Sequence, residues 1–190
     1  MAKGKSTETT SERVAGAQRP RRRAKGSSRL ARKAPDKTQA TQYGSSTARF
    51  RIGVYALIER DGRYLLARRS DIGWWNLPGG GLEYNETLAE GLAREVQEEV
   101  HLNVAVEQLV GVYEKPQKRE FVLAFRCRQL DAAEPSLSSE TTEVGWFAPD
   151  ALPERTLPKH AQRVRDAALQ HAEALIRAQT TTPQEDQHLT

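Results

Sequence analysis

The stretch "GGGLEYNETLAEGLAREVQEEVHL", Gly79 to Leu102, decides the fold, because it joins a run of glycines to a segment with helical periodicity. At about 100° per residue, Leu88, Leu92 and Val96 fall on one apolar stripe, which predicts an amphipathic helix from about Glu86 to Val100. Thr87 and Glu90 have capping-box spacing, and Asn85 is an alternative cap. Glu95, Glu98 and Glu99 then lie together along one border of the stripe. Two negative charges roughly 5–6 Å apart repel by about 3 kcal/mol at an effective dielectric near 20, and an exposed helical pair still costs a few tenths. A divalent cation removes that cost, since converging carboxylates are the hard oxygen ligands that Mg²⁺ or Mn²⁺ takes. The competing reading is a solvated acidic face, with Glu90 paired to Arg94 one turn on. The preceding "LPGGG" favours the cation, because glycines let backbone groups approach a metal or phosphate that side chains would obstruct. Phosphate-cradling loops usually bring a lysine, and none stands here, so a metal–diphosphate complex suits the segment better than bare phosphate.

Upstream, "RFRIGVYALIERDGRYLLARRS" places two apolar runs around Asp61-Gly62, which predicts a hairpin of strands near Phe50–Glu59 and Arg63–Arg69. A short strand in "GWWNLP" follows. Downstream, "LNVAVEQLVGVYEKPQKREFVLAFRCRQL" predicts two strands about a turn at Lys115-Pro116, and "EVGWFAP" a further strand. A last helix is expected from about Lys159 to Ala178, with Val164, Ala168, His171 and Leu175 on one stripe and His171 packed or half-buried there. Strands and helices mix without regular alternation, so the class is α/β, a mixed β-sheet between helices.

The net charge of +4 divides unevenly. Residues 1–49 carry 13 Lys/Arg against 3 Asp/Glu (+10), and residues 50–190 carry 16 against 22 (−6). Residues 1–47 have almost no large apolar side chain, which predicts a disordered basic tail ahead of one domain over 48–178, and 179–190 reads as a polar C-terminal tail. "QRPRRRAKGSSRLARK" could draw nucleic acid or another polyanion by counterion release, or serve only as a solubilising tail. Its composition also has the look of an organellar transit peptide, which Glu8 and Glu12 count against. No segment approaches the roughly 18 apolar residues of a membrane span, and nothing near Met1 has the apolar stretch of a secretory signal. A cytoplasmic protein with no membrane partner is therefore expected. The single cysteine, Cys127, sits in a strand pattern and reads as a packing residue.

Residue by residue, the opening stretch resembles the signature of the Nudix hydrolases: Gly, five residues, Glu, seven residues, then Arg-Glu-U-x-Glu-Glu-x-Gly-U with U aliphatic. Gly80, Glu86, Arg94, Glu95, Val96, Glu98, Glu99 and Leu102 match, and His101 stands where the family has glycine. "GWWNLPGG", with Trp75 at the family's aromatic position, and "EVGWFAPDALP" extend the likeness over about Phe50 to Ala178. The resemblance implies an α/β/α sandwich and divalent-metal-dependent hydrolysis of a nucleoside diphosphate derivative, with Mg²⁺ or Mn²⁺ as cofactor. It implies Glu98 and Glu99 as metal ligands, Glu95 as ligand or general base, the Gly79 carbonyl as a further ligand, and Arg94 as the group that orients the carboxylates through Glu86 or a neighbouring glutamate. Some members add a carboxylate ahead of the last strand; Glu140 is the first candidate and Glu143 the second. Many members pair as homodimers.

His101 should sit just past the helix end in a left-handed conformation, which costs a non-glycine residue about 1–2 kcal/mol. The box is therefore expected to be somewhat destabilised, with its chemistry intact. Trp74, Tyr84 and Tyr113 are candidate stacking partners for a substrate base, and each could equally be a packing residue. The attached group remains open between nucleoside triphosphates, ADP-ribose and similar compounds. An RNA 5′ end, or a non-catalytic role as a nucleotide-binding regulator, is the alternative.

Overall fold

In the computed structural model, residues 49–180 are described. Eight strands and two helices follow in order: β1 (Arg51–Arg60), β2 (Arg63–Arg69), β3 (Trp75–Asn76), β4 (Gly79–Gly81), α1 (Leu88–Val100), β5 (Val104–Lys115), β6 (Glu120–Gln129), β7 (Thr141–Phe147), α2 (Pro158–Ala168) and β8 (Leu175–Ala178). The hairpin turns at Asp61 and Gly62, both at positive φ (51° and 71°), the geometry that Asp-Gly favours.

The sheet runs β3-β2-β1-β6-β5-β8, with β4 beside the first half of β1 and β7 beside β2. It is mixed: β1 runs parallel to β6 and β5 parallel to β8, and the other neighbours are antiparallel. Side chains of a strand alternate between faces, and both faces of β1 are apolar. Val54, Ala56 and Ile58 pack with Leu92, Val96 and Val100 of α1. Leu57, with Tyr55 partly buried beside it, packs with Val164 and Ala167 of α2. One helix thus covers each face of the central strand, which is the expected α/β/α arrangement.

Helix α1 begins two residues later than its sequence pattern suggests, at Leu88, with Thr87 as N-cap and a complete Thr87–Glu90 capping box. It ends at His101, whose backbone is left-handed (φ 57°, ψ 34°) and whose Nδ1 lies 3.1 Å from Ser136 Oγ. The last helix differs more. It stops at Ala168 rather than Ala178, and the chain turns at Gln170 (φ 48°) before Leu175–Ala178 joins the edge of β5 as a parallel strand. Residues 169–174 have no strong helix breaker, so tertiary pairing overrides local propensity here. His171 accordingly lies past the helix and is exposed, not packed on its stripe. Gln179, which reads as the start of a polar tail, is 4% exposed: its N–H donates to Glu114 O at 2.7 Å and its side chain accepts from Arg163. Among the described residues, no helix is long and apolar enough to cross a membrane. The expectation for the basic tail falls on residues 1–47, outside the described residues.

Candidate active site

Helix α1 and strand β4 place the acidic residues against the glycines. Gly79 adopts φ +133°, and a Cβ there would come within 2.2 Å of Val54 O on the neighbouring strand. The Gly79 N–H donates to Glu99 Oε2 at 3.0 Å. Gly80 is needed for a different reason: a Cβ would lie 2.6 Å from both carboxylate oxygens of Glu95. Gly79 therefore lets β4 close on β1, and Gly80 lets the Glu95 carboxylate of α1 close on β4.

Arg94 is the hub of the cluster. Its Nε and Nη2 donate to the two oxygens of Glu86 at 3.1 and 2.8 Å. Nη1 donates to Glu95 Oε1 and Glu98 Oε2, both at 3.1 Å, and Nη2 also reaches Gly81 O at 3.2 Å. This bidentate bond to Glu86 lowers the Glu86 pKa and raises that of Arg94. Glu95 is pushed up, first by burial and then by Glu98 and Glu140, against the opposing pull of Arg94. Glu99 is 8% exposed and is raised to about 7, mainly by burial, with Glu95 and Glu140 adding to it and its bond from Gly79 opposing.

Glu99 and Glu140 line one hollow of about 230 Å³ with Arg69, Ser70 and Asp71. Glu143, the second candidate, instead pairs with Arg68 across the β2–β7 register and does not line it. Arg69 donates to both oxygens of Asp71, at 2.9 and 2.6 Å, which holds its guanidinium at the rim. Sequence reading missed Arg69, Ser70 and Asp71: they follow the hairpin as an unremarkable polar strand end, and only the fold carries them to Glu99.

Among the described residues, no three acidic, histidine or cysteine side chains stand together in geometry that would hold a metal ion. The donors fit a divalent cation in kind, since Glu95 and Glu99 are carboxylates whose pKa values are raised first by burial and further by neighbouring carboxylates. Arg94 draws Glu95 and Glu98 to itself as placed.

The candidate stacking residues separate. Tyr113 is fully buried in β5, its hydroxyl donating to Asp166 Oδ2 at 3.1 Å, and burial raises its pKa; it is a packing residue and not a stacking partner. Tyr84 is 93% exposed in the loop before α1. Trp74 is partly buried, with its carbonyl accepting from the Arg69 N–H at 2.9 Å. Cys127 is buried in β6, which pushes its thiol up to about 12 and makes it inert.

Comparison with known proteins bears on the family and the fold. The family model described as NUDIX domain matches residues 48–168. A MutT-like protein of Streptomyces ambofaciens is 44% identical over 111 residues, covering 58% of this chain and 71% of that protein. The ADP-ribose pyrophosphatase of Methanocaldococcus jannaschii is 39% identical over 70 residues, covering 35% of this chain and 41% of that one. Among solved structures, a NUDIX hydrolase from Nitrosomonas europaea superposes with a TM-score of 0.62 at 26% identity, covering 69% of this chain and 79% of its own.

Proposed function

The chain belongs to the NUDIX family and is a pyrophosphohydrolase, and from that premise we propose that it cleaves the diphosphate linkage of a nucleoside diphosphate derivative of the nucleoside triphosphate or ADP-ribose kind. Glu95, Glu98, Glu99, Glu140 and the Gly79 carbonyl are the groups that would hold Mg²⁺ or Mn²⁺. Such a cation neutralises diphosphate charge and makes water more acidic. The observation that carries the reading is the burial of Glu99 beside Glu95 and Glu140, a concentration of negative charge that no described cation pairs directly at Glu99.

Glu95 is the base. Its pKa is raised, which brings it nearer to the working pH, and Arg94 Nη1 holds one of its oxygens at 3.1 Å. Arg94 acts through others: it ties Glu86, Glu95 and Glu98 into one array and so sets where their oxygens point. Glu99 is anchored by the Gly79 N–H at one oxygen, which orients the other.

The test is phosphate release from a panel of nucleoside diphosphate derivatives with a coupled phosphatase, in Mg²⁺ or Mn²⁺, comparing wild type with Glu98→Gln. Metal-dependent turnover that collapses in the variant supports the assignment. Turnover unaffected by both chelation and the variant refutes it. The charge of +10 on residues 1–49 supports a nucleic-acid or other polyanion contact for that segment. A truncation beginning at Thr47 that binds RNA as well as the full chain does would overturn that part.

A further inference from the structure

Among the described residues, the hollow beside Glu99 is lined by three carboxylates, those of Asp71, Glu99 and Glu140, and by one cation, Arg69. Backbone bonds fix that cation on both sides. The Arg69 N–H donates to Trp74 O and the Arg69 carbonyl accepts from the Gly73 N–H, each at 2.9 Å, which closes the turn after β2. Ser70, the next residue, donates from its N–H to Glu140 O at 2.9 Å and from its hydroxyl to Ser139 O at 3.1 Å. Arg69 itself faces Thr141 across the β2–β7 ladder, just past a shift in register. The segment that bears Arg69 is thereby tied to the segment that bears Glu140, and both side chains are held at one hollow.

Two guanidinium groups stand among these acids, and they differ in the donors they have left. Arg94 commits all five of its N–H donors: Nε to Glu86, Nη1 to Glu95 and Glu98, and Nη2 to Glu86 and Gly81 O. Arg69 commits two, Nε at 2.9 Å and Nη2 at 2.6 Å, both to Asp71. Its end-on edge, Nη1 with the second hydrogen of Nη2, bonds no described group. The Arg69 side chain is 42% exposed and that of Asp71 56%, and exposed ion pairs contribute little to stability. A solvated surface pair is the competing reading, and it leaves the position of Arg69 on the hollow without a purpose. A diphosphate entering there brings negative charge to a place already holding Glu99 and Glu140. A guanidinium edge meets two phosphate oxygens with parallel N–H bonds, which an ammonium group cannot reproduce.

We propose that Arg69 is a substrate-binding residue whose end-on edge takes non-bridging oxygens of the substrate's diphosphate, while Asp71 holds the adjacent edge. This rests on the diphosphate-cleaving reading above. The contact recognises phosphate oxygens alone, so it serves any substrate of that class whatever its base or sugar. Non-bridging oxygens are present before and during cleavage of the bridging bond, and a contact made in both states is seen in KM more than in kcat. Arg94 plays the other part, orienting carboxylates with no donor left for substrate.

The experiment compares wild type, Arg69→Lys and Arg69→Met. It measures kcat and KM for ATP and ADP-ribose with Mg²⁺ and, by calorimetry in the same buffer, the Kd of methylenediphosphonate, an uncleavable diphosphate with no base or sugar. Arg69→Met is expected to weaken diphosphonate binding and raise KM by on the order of 10- to 100-fold, as loss of a hydrogen bond between charged groups does, with kcat changed less. Arg69→Lys keeps the charge without the fork and should fall between the other two. Both variants should melt close to wild type, because the Asp71 pair is exposed. A diphosphonate Kd in Arg69→Met equal to that of wild type overturns the proposal, as does a wild type that binds no diphosphonate. A fall in kcat at unchanged KM overturns it too, and so does a lowered melting temperature as the only change, which would leave Arg69 a surface ion pair. The hydrolase reading stands or falls separately. Turnover that needs Mg²⁺ and collapses in Glu98→Gln keeps that reading whatever the Arg69 variants do; diphosphonate binding that depends on Arg69, with no turnover of any compound, strikes it and leaves this contact standing.

Discussion

Adjacent glycines should respond in opposite ways to the same methyl group. Gly79→Ala puts a Cβ 2.2 Å from Val54 O and 2.7 Å from the Tyr55 Cα, both backbone atoms of a paired strand, at φ +133°. The dihedral alone costs about 1–3 kcal/mol, and the clash can be relieved only by parting β4 from β1, so a loss of roughly 4 kcal/mol or more is expected. Gly80→Ala has an ordinary φ, and its Cβ meets only the carboxylate end of Glu95, at 2.6 Å. That side chain can rotate away. It forfeits its bond to Arg94, about 1.5–3 kcal/mol for a buried charged pair and less here because Arg94 keeps Glu86 and is a quarter exposed. The reduced chain entropy of alanine returns about 0.4–1 kcal/mol, leaving a net change of roughly 0–2 kcal/mol. Displacing Glu95 by about 1 Å should lower kcat/KM by on the order of 100-fold. Urea denaturation and turnover, measured on both variants, separate the two effects. Full kcat/KM in Gly80→Ala would mean that the Glu95 carboxylate does not act where it stands, and a Gly80→Ala as unstable as Gly79→Ala would mean that the two glycines serve packing alone.

Other consequences follow from burial and backbone geometry. Burial depresses the His160 pKa well below its ordinary 6.5, so the unfolded chain binds the extra proton first and stability falls as pH drops below about 6.5, by at most about 1.4 kcal/mol per pH unit. Glu99, raised to about 7, works in the opposite sense, gaining stability as pH falls from about 7 toward 4.5. Comparing wild type with His160→Asn isolates the first effect: the stability difference in urea should shift against wild type between pH 7.5 and 5.5, and a constant difference would refute the assignment. Because Glu99 must lose its proton to bind a cation, Mg²⁺ should raise the melting temperature more at pH 8 than at pH 6, by a margin that Glu99→Gln abolishes; an equal rise at both pH values would remove Glu99 from the ligand set. His101→Gly should relieve the left-handed backbone at the end of α1 and lose the Ser136 contact, for a net gain of up to about 1 kcal/mol in urea. A loss of stability would show that the His101–Ser136 bond outweighs the strain.

The parts of this molecule that were legible in the sequence are those set by local periodicity. The Asp61-Gly62 hairpin, the capping box and the left-handed residue after Val100 each depend on a few neighbouring residues, and each is found where its chemistry puts it. The carboxylates of α1 belong to the same class, since helical spacing alone gathers them. The far end of α2 was illegible for the converse reason. Nothing between Leu169 and Ala174 forbids a helix, and what ends it is the open edge of β5, a partner about 60 residues away in the chain. The same holds for the hollow. Glu140 could be guessed from its place before a strand, but Arg69, Ser70 and Asp71 reach Glu99 only through the β2–β7 pairing and the turn that follows β2. Tyr113 failed as a stacking candidate because an aromatic residue on a strand carries no local mark of which face is covered, and here that face lies under α2.

The costs in the fold fall together around one short segment. Glu99 is buried at the last turn of α1 with its pKa pushed up to about 7, on the order of 3 kcal/mol against the charged form. Two residues on, His101 holds a left-handed conformation. Facing Glu99, Gly79 occupies a backbone region closed to side chains. A structure selected for stability alone would exchange Glu99 for an apolar residue, since Val96 and Val100 already supply the packing on either side. One guanidinium, that of Arg94, pairs with Glu86, Glu95 and Glu98 together and leaves Glu99 as the carboxylate bonded by a backbone N–H. Glu99, which no described cation pairs, is the carboxylate that opens on the hollow with Glu140. A divalent cation entering there meets a carboxylate already held in place, and its binding offsets a cost that the protein carries at all other times.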